Sequence, residues 1–155
     1  MDTLDRRILD LLQQDADRPV ADIADAVGLS KTPCWRRIKA LEAAGYIRRR
    51  VALLDRGRLN LGVTAFVAIK AARHDADWLK RFHEAVVPMP EVTEFYRMSG
   101  EVDYLLRVVV PDIAAYDAFY RRLISRIELT DVSSSFAMEE IKNTTSLPLS
   151  YAAFS

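Results

Sequence analysis

Residues 20–47 read VADIADAVGLSKTPCWRRIKALEAAGYI, and their punctuation spells a short helix, a tight turn and a second, basic helix. Gly28 can take the positive φ that closes a helix C-terminus, Leu29 plugs the turn, and Ser30 opens the next helix. The Ser30 hydroxyl is expected to accept from an orphan amide of the first turn, where Pro33 is tolerated because an amide there lacks an intrahelical partner. Gly45 ends that helix. Between these marks Cys34, Ile38 and Leu41 recur at i, i+4 and i+7 as one apolar stripe, while Lys31, Thr32, Trp35, Arg36 and Lys39 fall on the other side. One face packs and the other is free and cationic, on a helix of about the width the DNA major groove admits.

A basic helix face is by itself usually just a solvated face. Its surroundings give this one more weight. From Lys31 to Arg58 there are nine cations (Lys31, Arg36, Arg37, Lys39, Arg48, Arg49, Arg50, Arg56, Arg58) against Glu42 and Asp55. The whole chain has 22 basic and 22 acidic residues, so this surplus is offset elsewhere and charge is segregated along the sequence. Residues 1–60 hold 12 basic and 9 acidic side chains, leaving 10 and 13 for residues 61–155, so the N-terminal part is the expected partner of a polyanion.

At 155 residues, half of them hydrophobic, the chain can build one large or two small domains, and the pattern favours two. The single cysteine, Cys34, lies on the apolar stripe, which excludes an intramolecular disulfide or a cysteine-cluster metal site. No apolar run reaches the roughly 18–20 residues of a membrane span, and residues 1–10 are charged where a signal peptide is apolar. A soluble, cytoplasmic protein with no membrane partner is expected.

Taken in order, Thr3 is placed to cap a first helix with Leu4, Ile8, Leu11 and Leu12 inward, and Pro19 suits the first turn of the second, with Ile23, Ala24 and Val27 inward. Three helices share one small core. Residues 46–53, YIRRRVAL, are strand-like and basic, as a wing beside a recognition helix is; a charged edge strand that only discourages aggregation reads the same way. The boundaries expected are a DNA-binding domain over 1–54, a linker over 55–62 and a second domain over 63–155. In that second domain the spacing predicts strands over 63–72, 92–98, 104–110 and 132–141, and helices over 77–87 and 112–127. The order βαββαβ is that of an α+β, ferredoxin-like antiparallel sheet with both helices on one face. Val67, Leu106, Val108, Phe136 and Met138 are expected on the other face, too apolar to stay wet, so a second subunit is expected to cover it.

GLSKTPCWRRIKALEAAGYI at 28–47, a basic wing, a linker and a βαββαβ domain containing SGEVDYLL at 99–106 and closing on TTSLPL at 144–149 together resemble the Lrp/AsnC (feast/famine) transcriptional regulators. The resemblance covers essentially the whole chain. It implies an N-terminal winged helix-turn-helix followed by a ferredoxin-like (RAM-type) domain, double-stranded DNA as partner, and a homodimer that often assembles into tetramers or octamers. It also implies an amino acid or similar small molecule bound between dimers near the turn after the second strand, and no other cofactor. By motif that site falls on Gly100, Asp103, Tyr104 and Leu105, with Thr144 and Thr145 as weaker candidates. An amino acid brings an ammonium and a carboxylate, so Asp103 can serve as acceptor and Gly100 as the point of close approach. Structural roles compete: Gly100 making the turn, Asp103 capping amides, Tyr104 packing.

For DNA, Lys31, Thr32, Trp35 and Arg36 are candidates for base edges, and Ser30, Arg37, Lys39, Arg48, Arg49 and Arg50 for phosphates. Arg37 tied to Asp25 or Glu42, and Trp35 as a packing residue, stay open. Two other functions compete. An effector-free protein that wraps or bridges DNA shares the same DNA chemistry. An enzyme like the small sirohaem decarboxylases shares the two-domain plan, but His74 and His83 pair with no evident nucleophile, and no Gly-rich phosphate loop or metal-ligand cluster appears. The expectation is a non-enzymatic regulator.

Overall fold

The computed structural model describes residues 1–72 and 75–152. They form two compact units, one of residues 1–53 with 142–152 and one of residues 54–72 with 75–141.

In the first unit, helices α1 (Thr3–Gln14), α2 (Val20–Val27) and α3 (Lys31–Ala43) surround Ile8, Leu12, Ile23, Ala24, Val27, Cys34, Ile38 and Leu41. The cap of α1 is Asp2 rather than Thr3. Its carboxylate accepts from the Asp5 amide at 2.8 Å and the Asp5 carboxylate accepts from the Asp2 amide at 3.0 Å, a capping box made by two acids at the positive end of the helix dipole. Gly28 takes φ +73°, which lets the Leu29 amide turn back to the Ala24 carbonyl at 2.9 Å and close α2. Ser30 holds the cap position of α3 by its backbone, but its hydroxyl makes no cap bond. The reason is in the sequence: the third helical position, whose amide a serine cap usually engages, is Pro33 and has none. Gly45, at φ +78°, ends α3, and the Tyr46 amide reaches the Leu41 carbonyl at 3.0 Å.

The expected wing strand is not formed in this chain. Residues 48–55 run without a ladder, and Val51, Leu53 and Leu54 are exposed, because no other described segment offers these residues a partner edge. The end of the chain also departs from the expected boundaries, since the residues after Ile141 belong to the first unit. There the Gln13 side-chain amide pairs with Leu147 as a strand would, Nε2 donating to its carbonyl at 3.1 Å and Oε1 accepting from its N–H at 2.8 Å.

The second unit runs β1 (Val63–Ala71), α4 (Ala76–Val86), β2 (Val92–Arg97), β3 (Tyr104–Val110), α5 (Ile113–Arg126), β4 (Leu129–Phe136). The sheet order is β2-β3-β1-β4 with every pair antiparallel, the ferredoxin-like arrangement expected. Asp75 and Asp112 cap the two helices through the Trp78 and Ala115 amides. Trp78, Phe82, Phe95 and Tyr104 pack ring against ring, and the Trp78 indole donates to the Glu128 carbonyl at 3.0 Å. β4 starts and stops earlier than the expected 132–141, because the Ala137 amide already reaches Thr64 at the start of β1 and no described strand pairs with the chain beyond.

One expectation about the faces is overturned. Val67, Leu106 and Val108 are completely buried under the helices, Phe136 packs edge-on against the Tyr116 ring, and Met138 lies past the strand, 97% exposed. Alternation explains it: Val67 pairs with Leu106, so both point the same way as Ala65 and Ile69, and a one-residue offset exchanges the faces. The open face instead carries Phe66, Ala68, Leu105 and Tyr96 beside charged Arg107, which is paired with Glu94 at 3.3 Å.

Candidate functional site

The first unit presents α3 as an exposed ridge. Ser30, Lys31, Thr32 and Arg36 are exposed, and the Trp35 ring is half exposed among them, so none of these belongs to the core. The stripe of Cys34, Ile38 and Leu41 holds the helix down, and burial pushes the Cys34 thiol pKa up, which keeps it a neutral packing group.

The cations divide into two sets. Arg37 is engaged inside the unit: its guanidinium lies 2.7 Å from both the Asp2 and Asp5 carboxylates and ties the start of α1 to the middle of α3. The sequence pointed to Asp25 or Glu42 as its internal partner; the structure gives Asp2 and Asp5. These acids hold the Arg37 pKa up. The Asp2 carboxyl is pushed below its ordinary value, first by the Asp5 amide and then by Arg37. Lys39 pairs with Glu42 at 2.7 Å, and Arg50 reaches the same carboxylate at 3.2 Å and the Ala16 carbonyl at 2.9 Å. Glu42 is held low by Lys39 first and Arg50 after it. Among the described residues Lys31, Arg36, Arg48 and Arg49 have neither a hydrogen bond nor an ion pair, and all four are exposed. A surface that leaves four cations without counter-charges beside an exposed helix can neutralise phosphates and reach base edges.

In the second unit, Gly100 sits in the turn between β2 and β3 at φ +115°, with open space where a Cβ would point. Asp103 anchors that turn. Its backbone bonds Met98 at 2.8 Å and Ile69 at 3.0 Å, and its carboxylate Oδ2 accepts from the Ala71 amide at 2.8 Å. Tyr104 follows in sequence, but its ring lies in the aromatic core against Phe82 at 4.9 Å. Leu105 is half-buried on the open sheet face. Four of the six candidates fall within residues 100–105, with Gly100, Asp103 and Leu105 keeping surface. Thr144 and Thr145 belong to the segment assigned to the first unit, where the Thr144 hydroxyl accepts from the Ser146 amide. No periodicity in the sequence marked that assignment.

His83 is exposed on α4 with its ring against the edge of Phe95, and His74 lies outside the described residues. No cluster of three or more His, Cys, Asp or Glu side chains that could hold a metal occurs among the described residues, and no described helix is long and apolar enough to cross a membrane.

Two family models cover most of the chain: winged helix-turn-helix DNA-binding over residues 1–48 and the Lrp/AsnC ligand binding domain over residues 64–147. The chain is 52% identical over 150 residues to the DNA-binding transcriptional activator DecR of Escherichia coli, spanning 96% of this chain and 99% of that one. Among solved structures it resembles an AsnC family transcriptional regulator from Agrobacterium tumefaciens, with a TM-score of 0.96, 65% identity, and 99% and 100% of the two chains covered. It also resembles a transcriptional regulator from Neisseria meningitidis crystallised as its L-Met complex, with a TM-score of 0.92, 39% identity, and 96% and 97% covered. With its helix-turn-helix, its four-stranded ferredoxin-like domain and these relatives, the chain belongs to the Lrp/AsnC family of transcriptional regulators.

Proposed function

We propose that this regulator reads DNA with α3, with Lys31, Thr32, Trp35 and Arg36 at base edges and Ser30, Arg48 and Arg49 on phosphates. Arg50 and Lys39 join the phosphate set by exchanging Glu42 for DNA. Arg37 acts within the fold. The observation that carries this reading is the row of exposed cations along and just after α3 that have no partner among the described residues. Salt-dependent affinity follows from it, because each phosphate contact releases a counterion.

The second unit is proposed to sense an amino acid at the turn of residues 98–105. The Neisseria relative, crystallised with L-Met, supports this class of ligand. Gly100 gives close approach to the backbone, and Asp103 fixes the turn's shape through Ala71. The protein is proposed to act as a homodimer or larger homo-oligomer, so that paired recognition helices meet paired half-sites.

The test is binding of the purified protein to its own upstream DNA at two salt concentrations, with and without each common amino acid, while oligomer size is followed. Specific, salt-sensitive binding altered by one amino acid is the expected result. Binding that no amino acid alters would favour the effector-free architectural reading, and absence of DNA binding would overturn the proposal.

A further inference from the structure

The first unit contains a cavity of about 610 Å³, within the ~300–1,000 Å³ range of small-molecule sites. Leu9 and Leu12 of α1, Ile47, and Leu147 and Leu149 of the returning C-terminal segment make its apolar walls. Arg48, Arg49 and Arg50 also line it, and no acidic residue does. Arg50 is engaged with Glu42 and the Ala16 carbonyl, whereas Arg48 and Arg49 have no partner among the described residues. The Gln13 amide, the polar group on the α1 side, is already bonded at both ends to Leu147.

From this combination we infer that the cavity is a binding site for an aliphatic monocarboxylate, with its chain against the leucine walls and its carboxylate at Arg48 and Arg49. The chemistry selects among ligands. An inorganic or nucleic-acid phosphate satisfies the arginines and leaves the apolar walls unused. A long-chain alcohol fills the walls and leaves the cations without a counter-charge. A free amino acid brings an ammonium into a site with arginines and no acid, so this site rejects the ligand class proposed for the second unit. One wall belongs to residues 145–152, so a bound chain also holds the C-terminal segment in place. The same arginines are proposed phosphate contacts, so the carboxylate competes with DNA; that coupling rests on the DNA-binding reading, while occupancy of the cavity does not.

The test therefore omits DNA. Octanoate, octanol and leucine are titrated into the full-length protein by calorimetry. Saturable octanoate binding is expected, with octanol at least about tenfold weaker and excess leucine, which the second unit is proposed to take, failing to displace octanoate. Leu147→Glu puts a repelling carboxylate on an exposed part of the wall and should weaken octanoate at least tenfold with the melting temperature kept. Leu149→Glu does the same from the half-buried part and serves as the second variant. Failure of octanoate to bind, equal binding of octanol, or unchanged octanoate binding in both folded variants would each overturn the assignment; a second copy of the chain occupying the cavity gives the first of these results.

Discussion

Arg36 and Arg49 are both exposed and without a partner among the described residues, yet they are proposed for different kinds of contact. Arg36 projects from α3 beside Trp35, so Arg36→Ala should relax sequence preference by about 1–3 kcal/mol at the position it reads. Affinities across a set of single-base-pair operator variants measure this, and an unchanged preference would remove it from the base-reading set. Arg49 lies in the basic segment after α3, so Arg49→Ala should weaken all sequences alike and flatten the slope of log affinity against log salt by ~0.9. Arg37 behaves differently again, because it is paired with Asp2 and Asp5. Arg37→Ala should cost about 1 kcal/mol of stability in urea unfolding, near the upper end for a partly exposed ion pair. The sign with pH follows from Asp2, whose folded pKa lies below its ordinary value of 3.8. The stability it adds is present above about that pH and is lost as the pH falls through the depressed folded value. Asp2→Asn should therefore remove part of the acid dependence of unfolding below pH 4, and an identical acid limb would contradict the assignment. The candidate arginines were legible in the sequence as a cluster, but which of them is tied down was not. Asp2 and Asp5 lie more than thirty residues from Arg37, and only packing of α1 on α3 brings them to it.

At the scale of elements, the turn between α2 and α3 depends on Gly28 at φ +73°. A Cβ added there meets nothing within 4 Å, so Gly28→Ala brings backbone strain without a clash and should destabilise by about 1–2 kcal/mol, read from the shift of the denaturation midpoint. A change near zero would mean the turn relaxes to another conformation. Helices and strands with clear periodicity were readable: α3, β3 and the two helices of the second unit fall within a residue or two of their expected bounds. The misreadings arose where a local signal competed with a neighbour. Thr3 is a good cap, but Asp2 supplies a charged acceptor one residue earlier and wins the position. Ser30 has the right identity for a cap and the wrong neighbour, since Pro33 carries no amide for it to satisfy. The wing has the composition of a strand, but a strand requires a partner edge as well as propensity.

For the whole molecule, the open face of the sheet is the surface proposed to meet another copy. Phe66, 41% exposed at its centre, is flanked by Ala68, Leu105 and Tyr96. Phe66→Asp should shift the assembly toward monomer in light scattering; an unchanged mass would place the interface elsewhere. Taken alone, the sequence determined the three-helix DNA-binding unit, the βαββαβ order and the turn between β2 and β3, because helix periodicity, strand alternation and glycine or proline punctuation act between residues close in the chain. It also determined the separation of charge, which is a property of composition. Only the tertiary structure decided which strand residues face the helices, that Arg37 serves α1 while Arg48 and Arg49 stay unpaired among the described residues, and that Leu147 returns to Gln13. Each of these depends on contacts between residues far apart in sequence, set by sheet register and helix packing, and such contacts leave no local pattern along the chain.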